Sequence, residues 1–93
     1  MTVAELLDSP EKWTKRAFAK DADGRHVNEQ SDRAVCWCLA GAVWRCYGCG
    51  PEADEAFEKL WKHVALHGAV SKFNDHYTTI FEDIRRVVLA AGV

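Results

Sequence analysis

The chain has 93 residues, 48% of them hydrophobic and 28% charged, with 12 Lys+Arg against 14 Asp+Glu and a formal net charge of -2. That is an ordinary globular composition, long enough for one core and too short for a two-domain enzyme. The even mixing of signs produces no field of the kind that concentrates nucleic acid or anionic lipid, so neither is expected as a partner.

The opening residues, Met1 to Asp8, carry acids and no basic region ahead of an apolar stretch, and no later run approaches a membrane-spanning length. The expectation is a soluble, cytoplasmic protein with no membrane partner. Its four Cys should then remain thiols, since the cytosol keeps thiols reduced.

In chain order, Thr2-x-x-Glu5 is a capping box ahead of Val3, Leu6 and Leu7 and predicts a short first helix. Ser9-Pro10 reads as an N-cap followed by Pro at the first helical position, predicting a second helix from Pro10 to Phe18 with Trp13, Ala17 and Phe18 inward. Lys12, Lys15, Arg16 and Lys20 would then form a basic stripe, read as a solvated face rather than a phosphate-binding one. Residues 20–30 have no apolar period and read as an exposed loop. Asp21-x-Asp23-Gly24 starts like a calcium loop, but Arg25 and His26 occupy positions that such a loop needs for a ligand and a glycine.

From Ser31 or Asp32 to Tyr47 the chain is apolar on every side, which predicts a buried central helix; a buried strand is the competing reading. Trp37 and Trp44 should point inward, and Gly41 should let neighbours approach closely. Ala53, Ala56, Phe57, Leu60, Trp61 and Val64 fall at helical spacing within a helix from Glu52 to His67, stopped by Gly68. A short segment, Ala69 to Asn74, leads to Thr79-x-x-Glu82, a second capping box, and a final helix with Ile80, Phe81, Ile84, Val87, Val88 and Ala91 inward. The expected class is all-α: a single domain, 1–93, of about five helices around a central one at about 32–47.

Two constellations could carry chemistry. Cys46-x-x-Cys49 with His63-x-x-x-His67 has zinc-ligand spacing, yet the helix begun near Glu52 separates the two pairs by on the order of 16 Å. Cys36, near a helix start and six residues after Gln30, resembles the nucleophile of a papain-like protease, with His76 and Asp75 as its candidate base and orienting acid. The favoured reading of each is structural: small apolar thiols and solvated histidines, with no cofactor and no metal. Asn74 and Asp75 fit a turn ahead of a helix, capping it or reaching back to a Trp37 or Trp44 indole N–H.

The run Ala34-Val35-Cys36-Trp37-Cys38-Leu39-Ala40-Gly41-Ala42, together with Phe73-Asn74-Asp75 and the Asp21-x-x-Gly24 loop, resembles a family of small bacterial and phage proteins of unknown function over about residues 6–89. That resemblance implies a compact helical protein of bacterial or phage origin and no particular chemistry. Four Trp in 93 residues exceed what one small core needs, and Trp is enriched at interface hot spots. The leading expectation is a non-catalytic domain that binds a protein partner or forms a homo-oligomer through Trp61, Tyr77, Asn74 and Asp75; a phage-type protein acting on a host protein fits this expectation. The alternatives are a Cys-dependent enzyme using Cys36, His76 and Asp75, and a zinc-stabilised domain using Cys46, Cys49, His63 and His67.

Overall fold

Thr2 and Glu5 cap each other's free backbone donors, with Glu5 N–H donating to Thr2 Oγ1 at 3.1 Å and Thr2 N–H to Glu5 Oε1 at 3.0 Å. The computed structural model, which describes residues 1–93, accordingly begins with helix α1 (Val3–Leu6). Then come a 3-10 turn (Pro10–Lys12), strands β1 (Ala19–Lys20) and β2 (Cys36–Trp37), and helices α2 (Leu39–Tyr47) and α3 (Pro51–Val64). A second 3-10 turn (Ala65–His67), α4 (Val70–Asp75) and α5 (Phe81–Ala91) complete the chain. The protein is mostly helical rather than all-α, because β1 and β2 pair as a small antiparallel sheet with Ala19 opposite Trp37 and Lys20 opposite Cys36.

Helix α3 forms close to where its sequence says it should, but stops at Val64 and gives way to a 3-10 turn over Ala65–His67 where the helix was expected to continue. Gly50 precedes Pro51 at the first helical position, Glu52 and Asp54 sit in the first turn, and Lys62 and His63 in the last. Ala53, Ala56, Leu60 and Val64, spaced three and four apart, are its buried stripe. Gly68 ends the following 3-10 turn in the left-handed region, φ 85°, which a Cβ would penalise. The stripe packs on α5 and α2 in a single core cluster of 18 residues that also takes in Val3, Leu7, Leu39, Val43, Ile84 and Val88.

The expected helix over 10–18 is absent: one 3-10 turn is followed by an irregular segment that bends at 15–18 before β1. Trp13 bridges Trp37 in parallel fashion, and Thr14 N–H donates to Trp37 O at 3.0 Å. Tertiary backbone bonds therefore replace the local helical ones, and the basic stripe dissolves. Lys12 pairs with Asp8, Lys15 donates to the His76 carbonyl, and Phe18, expected inward, is 51% exposed.

The central helix is likewise shorter than expected. Residues 36–37 are a strand, flanked by β1 on one edge and by Trp13 on the other, and the helix begins only at Leu39. The uninterrupted apolar run is one partly buried strand followed by one helix buried over its first half, Leu39–Val43, which composition cannot separate. Trp37 is buried, with its indole N–H on Glu29 O at 3.0 Å; Trp44 lies half-buried between Phe18 and Phe57, with ring centroids at 5.0 and 5.4 Å. Gly41 is required for close approach, as expected, but its neighbour is a loop: a Cβ there would overlap the carbonyl of Phe18.

Two further boundaries move. Residues 70–75 form α4 instead of an irregular segment. At α5 the cap is Ile80, whose N–H donates to Asp83 Oδ2 at 3.0 Å, while the Thr79 hydroxyl turns inward to Phe73 O at 2.7 Å. Thr79 is buried, and a hydroxyl out of water takes the nearest free carbonyl rather than an exposed helix end. No helix is long and apolar enough to cross a membrane.

Candidate functional site

The Phe73-Asn74-Asp75 motif closes the structure around the start of α2. Asn74 is fully buried. Its Oδ1 accepts the Trp13 indole N–H at 2.7 Å and the backbone N–H of Leu39 at 2.9 Å; its Nδ2 donates to Thr14 O at 3.1 Å and to Asp75 Oδ1 at 2.9 Å. Leu39 is the first residue of α2, so Asn74 caps that helix from 35 residues away. The reach to an indole that the motif suggests is real, but the indole belongs to Trp13.

The next two residues extend the grip. Asp75 Oδ1 accepts the backbone N–H of Arg16 at 2.9 Å, and the carbonyl of His76 accepts Lys15 Nζ at 2.8 Å. Residues 13–16 are thus held by 74–76 in succession. Arg16 adopts φ 64°, the one non-glycine residue with positive φ, a conformation that costs an L residue about 1–2 kcal/mol and is held here by the Asp75 bond.

Between this strapped segment and α4 lies a cleft of about 530 Å³, lined by Arg16, Ala17, Phe18, His26, Cys38, Ser71 and Asp75. Cys38 is at its floor as the N-cap of α2, with Sγ accepting Gly41 N–H at 3.2 Å. Burial pushes this thiol's pKa up, against the opposing pull of the Gly41 and Ala40 amides. A thiol so placed stays protonated near neutrality and serves as a cap, not as an activated nucleophile.

The sequence-nominated nucleophile lies elsewhere. Cys36 sits on β2, half-buried, with Sγ 3.9 Å from Lys20 O, and the cysteine that shares a cleft with Asp75 is Cys38. Gln30 spends its amide on Trp44 O at 2.6 Å. His76 Nδ1 accepts Thr78 N–H at 3.2 Å, and its ring stacks on Tyr77 at 4.8 Å and meets His67 edge-on at 5.1 Å. Cys46 lies in the last turn of α2 and Cys49 just beyond that helix, whereas His63 sits at the far end of α3 and His67 in the 3-10 turn after it; no three Cys, His, Asp or Glu side chains gather where they could hold a metal.

Trp61 and Tyr77 are both exposed, at 50% and 86%, but they do not line a common pocket. Trp61 rims a groove of about 430 Å³ with Ala40, Trp44, Phe57, Ala69 and Val70, while Tyr77 stands on the α4–α5 turn. The sequence pattern placed Arg16 in a solvated basic stripe and His26 in a plain turn, and did not single out Cys38 or Ser71. A helix start at Leu39 would have singled out Cys38, but that start also depends on Asn74, which no local pattern reveals.

Fold and site together define a small, mostly helical protein with a two-stranded sheet, pinned by one buried asparagine. The chain belongs to the family of unknown function DUF6197, which matches residues 2–92. Comparison with curated proteins and with solved structures finds no match to either.

Proposed function

We propose that the chain is a non-catalytic, self-associating domain whose interface is the apolar groove rimmed by Trp61. One observation supports this reading: an indole left half in water, beside the wholly buried Leu60, adjoins a groove walled by Trp44, Phe57 and Val70. Leaving that ring exposed forgoes its apolar transfer energy, and aromatic anchors next to apolar recesses dominate interface energetics. Knob and recess lie side by side on one face. Such a face is self-complementary about a two-fold axis, the Trp61 of each copy entering the groove of the other.

Sedimentation equilibrium over a range of concentrations tests this. Wild type should associate, and Trp61→Ala should weaken association by about 1–3 kcal/mol while keeping its helical circular dichroism. Tyr77→Ala, outside the groove, should leave assembly unchanged. A wild type that stays monomeric throughout, or a folded Trp61→Ala that associates equally well, would sink the reading.

A further inference from the structure

The cleft beside α4 differs in chemistry from the Trp61 groove, although Ser71 borders both. Its volume of about 530 Å³ is that of a small-molecule site. Its polar groups are unequally engaged. Asp75 already receives two N–H donors on Oδ1, from Arg16 and from Asn74. The Arg16 guanidinium forms no salt bridge and no hydrogen bond within the protein, and the His26 ring and the Ser71 hydroxyl, exposed like Arg16, are likewise open to solvent or ligand.

The cleft therefore offers free donors in excess of free acceptors. The Arg16 backbone is fixed, its N–H tied to Asp75 and Lys15 before it tied to His76 O, and its exposed side chain borders the cleft. A planar guanidinium in this position matches the paired oxygens of a carboxylate or phosphate. The start of α2 at the floor adds the positive end of a helix dipole, its Leu39 and Gly41 amides being already bonded to Asn74 and Cys38. Phe18 supplies an apolar wall, its exposed ring resting edge-on against Trp44.

We propose that the cleft formed by Arg16, Phe18, His26, Cys38, Ser71 and Asp75 binds a small anionic ligand, a carboxylate or phosphate held by Arg16 and His26 with its apolar part against Phe18. Cys38 contributes shape and a cap, not covalent chemistry. The remaining oxygen of Asp75 selects for a ligand that also presents a hydroxyl or amino donor. The proposal is independent of self-association, since no residue other than Ser71 is shared with the groove.

Amide chemical-shift titrations of the full chain with inorganic phosphate, with benzoate and with neutral benzamide test it. Saturable shifts at Cys38–Gly41 and Ser71–Asp75 are expected with at least one of the two anions and not with benzamide; which anion binds separates phosphate from carboxylate. Arg16→Gly removes the guanidinium while relieving the positive φ, so it should keep or raise the unfolding midpoint and yet weaken binding roughly 10- to 100-fold. Trp61→Ala should bind as wild type does. The proposal fails if neither anion shifts these amides, if benzamide shifts them as strongly, or if folded Arg16→Gly binds the anion undiminished.

Discussion

Asn74 can sit in its cavity only one way round, because its carbonyl oxygen meets two N–H donors and its amide nitrogen two oxygens. Reversing the amide would set donor against donor on both sides. Truncation strands the Leu39 and Trp13 donors, and unsatisfied buried donors are costly. Asn74→Ala should thus lower stability by about 2–4 kcal/mol in urea titrations. Asn74→Asp keeps the two acceptor bonds but turns oxygen toward Thr14 O and the Asp75 carboxylate, which raises the new group's folded-state pKa. That variant should lose stability as pH rises above about 4 and recover it on acidification. A flat pH dependence, or an Ala variant as stable as wild type, would mean that Asn74 is not the pin described here.

At the scale of elements, the starts of α1 and α5 are held by carboxylates. Asp83 accepts Ile80 N–H and pairs with Arg86 at 3.0 Å, and its pKa is lowered first by the Ile80 bond and also by Arg86. Glu5 is lowered by its bonds to Thr2, and Asp8 by Lys12. A carboxylate with a depressed folded-state pKa contributes stability that is present above its unfolded value, about 4, and is lost as pH falls through the folded one. The unfolding midpoint should therefore fall as pH drops below about 4. Asp83→Asn should start lower at neutral pH and show a shallower fall; an acid dependence as steep as wild type would contradict the role given to Asp83.

Across the whole molecule, the two chain ends are fastened to each other. Arg85 Nη1 donates to Ala4 O at 2.6 Å and Leu7 O at 3.2 Å, satisfying carbonyls at the end of α1, and Val93 O accepts Val3 N–H at 2.9 Å. A helix of four residues cannot stand alone, so α1 depends on this clasp. Arg85→Met keeps most of the stem packing and removes the donors; it should cost about 1.5–3 kcal/mol. Hydrogen exchange should quicken at Leu6 and Leu7, the two α1 amides with intrahelical partners, and stay slow in α3. Uniform acceleration would show that the clasp stabilises the fold globally and not α1 in particular.

What the residues determined by themselves is what neighbours in sequence can settle. The Thr2–Glu5 box, the Pro51 start, the stripe from Ala53 to Val64 and the Gly68 stop all act within a turn or two of helix, and each appears where its spacing places it. Family membership was also legible, in the Cys36-to-Ala42 run and the Phe73-Asn74-Asp75 triplet. Tertiary structure alone decided that residues 13–20 would not be helical, that the apolar run would break at Cys38, and that Arg16, His26 and Asp75 would share a cleft. The reason is the same in all three. The two edges of β2 offer the Trp13 segment and Ala19 backbone bonds as good as helical ones, and Asn74, 35 residues beyond Leu39, joins the local Cys38 in capping the start of α2. Which of two equally satisfying sets of hydrogen bonds the backbone adopts is settled by what packs against it, and no local pattern contains that information.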